Sequence, residues 1–146
     1  MRRALALSAL LSAASAAHGA PIPTWSPAVS AKGMQAYVHA GMLRAENHKV
    51  RVWVLYDFSK PQADPYGAPG VTFRSQEAYE EEDCANGSAR TLQYTDFAGS
   101  MGAGATTYAF TLPSPTYGPP TYQLPGSVGM YLLKLVCEVA GDPFHG

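Results

Sequence analysis

The sequence is poor in charge and in cysteine. Asp, Glu, Lys and Arg make up only 14% of the residues, and ten basic side chains stand against eleven acidic ones. No basic stripe exists to hold a phosphate backbone or an anionic lipid surface, so nucleic-acid binding and charge-driven membrane adhesion are disfavoured. The two cysteines, Cys84 and Cys137, have no histidine at ligand spacing, and His39, His48 and His145 are scattered. Metal sites need several such ligands close together, so neither a metal nor a cofactor is expected. These histidines read as surface or half-buried residues, with His145 in a free tail (141–146). Glycine-rich GSMGAG (99–104) lacks the lysine of a phosphate-binding loop and the strand–helix setting of a dinucleotide site.

A nucleophile is also missing. PGSVG around Ser127 and AGSMG around Ser100 approach the G-x-S-x-G elbow of hydrolases, but each lacks the first glycine. Ser127 is better suited to capping a helix and Ser100 to a turn. No catalytic residue is assigned, and a small hydrolase is kept only as a distant alternative.

Long apolar runs are absent too. The apolar, uncharged stretch Ala4 to Ala17 is shorter than the roughly 20 residues of a membrane-spanning helix. Arg2 and Arg3 precede it, and Ala17 and Gly19 close it with small side chains. This is the layout of a secretory signal peptide (1–19), with cleavage expected after Gly19 or, failing that, after Ala17. No cysteine stands at the cut, so the mature chain is expected to be periplasmic or secreted and not lipid-anchored. Export with an even cysteine count leads to a Cys84–Cys137 disulfide.

Along the rest of the chain, residues 20–33 are proline-rich and read as an extended lead-in. Residues 34–42 alternate with period two, as a strand does, and RAENHK is a turn. In HKVRVWVLYDFSK, Val50, Val52, Val54, Tyr56 and Phe58 share one face, while Lys49, Arg51, Trp53, Leu55 and Asp57 share the other. PQADPYGAPG is a loop. GVTFRS, ARTLQYTDF and ATTYAFTL are further strands. Glu80 to Asp83 reads as a solvated acidic edge, since four adjacent carboxylates alternate between faces and lack calcium-loop spacing. Asn86-Gly87-Ser88 matches a glycosylation sequon. The Pro/Tyr-rich stretch 113–125 is a surface loop. Residues 127–139 fit either a helix or a strand. As a helix, Val128, Tyr131, Leu132, Leu135, Val136 and Val139 share an apolar face.

Four segments taken in order resemble the surface-adhesin protein E family of bacterial envelope proteins. They are KVRVWVLYDFSKPQ (49–62), FRSQEAYEEEDCANGSAR (73–90), LQYTDFAGSMGAG (92–104) and LPGSVGMYLLKLVCEV (124–139). The matching features are Trp53, Phe73 with Ser75, Asp83 with Cys84, Arg90, Met101 to Gly104, Pro125 to Ser127, and Val136 with Cys137. The resemblance implies an α+β domain over 34–140. A single antiparallel sheet of about five to six strands would carry a C-terminal helix, tied to it by the two cysteines. It also implies a non-enzymatic, adhesin-like module whose partner is a host matrix protein or another envelope protein; a periplasmic structural or stress-related protein is the alternative.

Exposed aromatics are the natural candidates for a partner surface, because large amphipathic rings supply contact area at low entropic cost. Trp53, Tyr117 and Tyr122 are those candidates. Trp53 has a competing role under the helix, which must cover one face of the sheet. Tyr117 and Tyr122 have one in packing their own loop.

Overall fold

The computed structural model describes residues 24–112 and 119–146; the signal sequence and Tyr117 lie outside them. The described elements are β1 (Ser26–Ala31), β2 (Met34–Val38), β3 (Arg44–Glu46), β4 (Lys49–Ala63), β5 (Thr72–Asp83), β6 (Ser88–Phe97), β7 (Thr106–Thr111), β8 (Thr121–Tyr122) and α1 (Val128–Val139). All strands belong to one antiparallel sheet in the order β1-β2-β4-β5-β6-β7, with β3 added to β4 and β8 to β6. The expected α+β architecture, one sheet with a C-terminal helix, is present.

Short connections explain the antiparallel order. Asn47 and His48 take positive φ of 51° and 60°, the turn that matches the twist of a two-residue hairpin, and so fold β3 onto β4. Asp83 caps the turn between β5 and β6, its Oδ1 accepting from the Ala85 and Asn86 N–H groups at 3.0 and 3.2 Å. Asn86 accepts from the backbone N–H and hydroxyl of Ser88, so the sequon is part of the turn.

The alternation in β4 sets the core. Val50, Val52 and Val54 are buried with Ala36, Cys84, Leu132, Leu133, Val136 and Cys137 between sheet and helix. Removing each such valine or leucine from water contributes about 1.5–3 kcal/mol. Ser127 starts α1 by accepting a 3.1 Å hydrogen bond from the Met130 N–H, and Gly141 follows its end with φ of 78°. The Cys84–Cys137 disulfide joins the end of β5 to the last turn of α1 across a Cα–Cα distance of 5.7 Å.

The buried stripe of α1 is Leu132, Leu133, Val136 and Cys137. It is rotated by about one residue from the face read in the sequence, leaving Tyr131 and Val139 exposed. The disulfide turns Cys137 inward, and Leu133 lies one helical turn before it.

Other segments differ from the sequence reading as well: Arg44–Glu46, within the expected RAENHK turn, form β3, and Thr121–Tyr122, within the expected 113–125 loop, form β8. Residues 26–31, within the expected lead-in, form edge strand β1, where Pro27 costs no interior ladder bond. After Val38 the period-two segment becomes a short 3-10 turn, Ala40–Met42. Strand β4 runs on to Ala63 across an irregularity between Asp57 and Gln62, which accommodates Pro61. The tail 141–146 folds back: Asp142 meets His48 at 2.8 Å, and Phe144 packs against the core.

Candidate functional site

Helix α1 covers the valine face of β4, so the odd-numbered side chains of that strand fall on the other face. Trp53 is therefore not under the helix. It lies half-buried on the helix-free face, directly opposite Tyr79 of β5, with the ring centroids 5.0 Å apart and the planes at 27°. The expectation that it packs beneath α1 fails because two consecutive strand residues cannot share a face.

Charged side chains surround this stack. Glu81 is buried at 3% exposure. It accepts from Arg51 Nε at 2.7 Å, and from Arg90 Nε and Nη2 at 2.9 and 2.6 Å. Burial pushes its carboxyl up, but the two guanidinium groups outweigh burial and hold it below the usual carboxylate value. Lys49 pairs with Asp83 at 2.9 Å, and exposed Arg44 stands at the rim of the same surface depression. Tyr79 thus shares its depression with Arg44, Lys49 and Arg51, the last held on the buried Glu81.

The 98–105 segment closes the other end of this face. Asp57 accepts from Ser100 Oγ at 2.8 Å and from the Met101 N–H at 2.9 Å. Ser75 Oγ donates to the Gly99 carbonyl at 2.6 Å and accepts from the Gly102 N–H at 2.8 Å. A Cβ at Gly102 would meet Glu77 Oε1 at 2.6 Å, and φ there is 74°. The Phe73-x-Ser75 and Met101–Gly104 features thus belong to one latch.

Behind the sheet, on the helix side, Tyr56, Glu80 and Glu82 line a cavity of about 340 Å³. The Tyr56 hydroxyl donates to both Glu80 oxygens, at 3.0 and 3.1 Å. Glu82 is 1% exposed. The acidic run is therefore not a solvated edge. Strand β5 is central, paired with β4 on one side and β6 on the other, so alternate carboxylates point into the protein. Nothing in the local sequence marks Glu82 as buried and Glu80 as half-buried; only their place in the strand order does.

The remaining candidates are spread out. Tyr122 is 70% exposed in β8, beside Tyr131, Lys134 and Phe144, and is separate from Trp53. His39 packs edge-on against Trp25 at 5.6 Å, and His48 holds Asp142. Ser100 bonds to Asp57 and Ser127 caps α1, so each has a structural partner. Among the described residues, no group of three or more His, Cys, Asp or Glu is placed to hold a metal. No described helix is long and apolar enough to cross a membrane.

The sequence pattern of the surface-adhesin protein E family matches residues 25–138, from Trp25 through both cysteines. The chain belongs to the surface-adhesin protein E family. No curated protein sequence matches it significantly. Its fold is similar to that of Haemophilus influenzae protein E, with a TM-score of 0.57 at 16% identity over 84% of this chain and 89% of that one. A second crystal form of that protein gives 0.54 at 15% identity, over 84% of this chain and 99% of that one. Protein E from non-typeable Haemophilus influenzae gives 0.55 at 16% identity, over 90% and 85%. At such identities the likeness is one of fold. Within the surface-adhesin protein E frame, the features that carried the sequence resemblance are largely scaffolding: a turn cap at Asp83, an ion pair at Arg90, a latch at Ser75 and a helix cap at Ser127.

Proposed function

We propose that this adhesin-like protein is an exported, non-enzymatic binding module that engages a protein partner through the helix-free face of its sheet. The observation that supports this reading is the half-exposed Trp53–Tyr79 stack, whose Tyr79 lines a depression with Arg44, Lys49 and Arg51. Aromatic and arginine side chains are those most enriched at binding hot spots. The stack is held in place from below by the sheet, so little side-chain entropy is lost on contact. Tyr122 is a separate second candidate, and Tyr117 of the proline-rich stretch, outside the described residues, stays a candidate on its sequence alone.

The partner is a host matrix protein or another envelope protein. Cleavage after Gly19 or Ala17 delivers the chain to the periplasm or the medium without a lipid anchor. Capture experiments with immobilised matrix proteins and with envelope extract test the binding. Trp53→Ala with Tyr79→Ala should abolish capture, while Tyr122→Ala should leave it intact. Capture unaffected by the double substitution would move the site elsewhere. Fractionation and N-terminal sequencing test the address: an intact Met1 on exported protein would refute cleavage.

A further inference from the structure

The carboxylates of Glu80 and Glu82 stand side by side on the helix-facing side of β5, close enough to share a hydrogen bond. Glu82 is 1% exposed, and its Oε2 has no hydrogen-bond partner among the described residues. A buried carboxylate oxygen left without a donor is costly and calls for a partner. Both carboxylates line the cavity of about 340 Å³, a volume within the range of small-ligand pockets. Apolar wall is supplied by Ala89, Leu112 and Pro119. Gln123 lies against the start of α1, where a Cβ at Gly129 would overlap its side-chain oxygen.

We infer that this cavity is a binding site for an alkylammonium group, with the ammonium seated on Glu80 and Glu82 and the alkyl stem along the apolar wall. An ammonium has three donors and no acceptor. The cavity offers acceptors in two carboxylates and the Gln123 carbonyl, with Tyr56 already donating to Glu80. The volume exceeds what a bare metal ion fills, and two carboxylates fall short of a calcium shell of six to eight oxygens.

The ionisation of the pair is set by burial and by the closeness of the two acids. Burial pushes Glu80 up to about 7, against lowering by its hydrogen bonds to Tyr56 and Glu82. Burial and the neighbouring Glu80 push Glu82 up to about 9. The charged or titratable groups around the pair are Tyr56 from β4 and Arg90 from β6, whose guanidinium is bonded to Glu81; Gly129 from α1 and Gln123 carry no charge. A bound ammonium favours the ionised form of both carboxylates, so binding releases protons and strengthens as pH rises from 6 to 8. The site lies on the opposite side of the sheet from the Trp53–Tyr79 stack, and its failure would leave the proposed partner surface untouched.

Calorimetric titration of the full chain with 1,5-diaminopentane at pH 8 tests this directly. Saturable binding is expected, with proton release seen as a dependence of the heat on buffer ionisation enthalpy. Glu80→Gln with Glu82→Gln should weaken binding by about tenfold or more, with circular dichroism confirming the fold; if that variant does not fold, proton release by the wild-type chain decides. A lysine-containing tripeptide and its acetyl-lysine counterpart form the second arm. Binding of the diamine alone assigns the cavity to a free amine. Binding of the tripeptide as well, lost on acetylation, assigns it to a lysine side chain of a partner protein. The inference is overturned by no saturable binding at millimolar ligand, by no proton release, by equal affinity in a folded double variant, or by calcium binding in place of the amine.

Discussion

Trp53 and Tyr79 are a direct cross-strand pair of β4 and β5, and their stacked rings lie on the sheet face that α1 leaves uncovered. Such pairs contribute about 0.5–1.5 kcal/mol beyond their buried area. Because Trp53 keeps part of its ring in solvent, Trp53→Ala should cost less than the roughly 3–5 kcal/mol of a core tryptophan. Urea denaturation measures that cost beside partner capture. A small stability loss with complete loss of capture is expected; a full core-sized loss would mark the ring as structural.

Reduction, or Cys84→Ser, should lower stability by about 2–5 kcal/mol, since the bond closes a long loop and fixes the last turn of α1 on the end of β5. Thermal melting with and without reductant checks this. A melting temperature unchanged by reductant would show that Leu132, Leu133 and Val136 hold the helix without it.

The pH dependence of stability should carry the mark of Glu80 and Glu82. Unfolded, both ionise near the ordinary glutamate value; folded, burial holds their protons, up to about 7 for Glu80 and about 9 for Glu82. Between those limits the folded state binds more protons, so stability falls as pH rises from about 5 to about 9. Glu82→Gln removes one of these groups and should flatten the curve, raising stability at pH 8 relative to wild type. Chemical denaturation across that range is the measurement, and a wild-type curve that rises with pH in this window would contradict it.

Glu81 behaves in the opposite sense. Its folded carboxyl is held low by Arg51 and Arg90, so its contribution is present above the ordinary glutamate value and is lost as pH falls through the folded one. Glu81→Gln leaves two guanidinium groups beside a neutral partner. The expected cost is about 1–3 kcal/mol at pH 7, moderated because both arginines reach solvent. The same comparison at pH 3 should show a smaller difference.

Ser75→Ala removes the hydroxyl that joins the Gly99 carbonyl to the Gly102 N–H. A cost of about 1–3 kcal/mol is expected for the groups left unpaired, together with faster amide exchange confined to residues 98–105. Exchange that rises evenly through the sheet would mean that the latch supports the whole fold.

The features readable from the residues alone are local. Period-two alternation grouped Val50, Val52 and Val54 on one face and Trp53 on the other, because a strand's geometry turns each residue away from the last. Asn86-Gly87 marked a turn, Ser127 a helix start, and an even cysteine count a disulfide. What would cover each face was not legible: one face is wholly apolar and the other carries Lys49, Arg51 and Asp57 beside Trp53 and Leu55, but strand alternation names no partner element. The tertiary structure decided it, by bonding Cys137 to Cys84 and laying Leu132, Leu133 and Val136 over the valines. It also turned α1 by about one residue from its sequence-based face and drew the 141–146 tail back through Phe144. Above all it buried Glu82 and half-buried Glu80 beside it. Four adjacent acids look solvated in any local window, because the cost of burial depends on what lies beside a strand, and only the strand order placed β5 between two neighbours and beneath a helix.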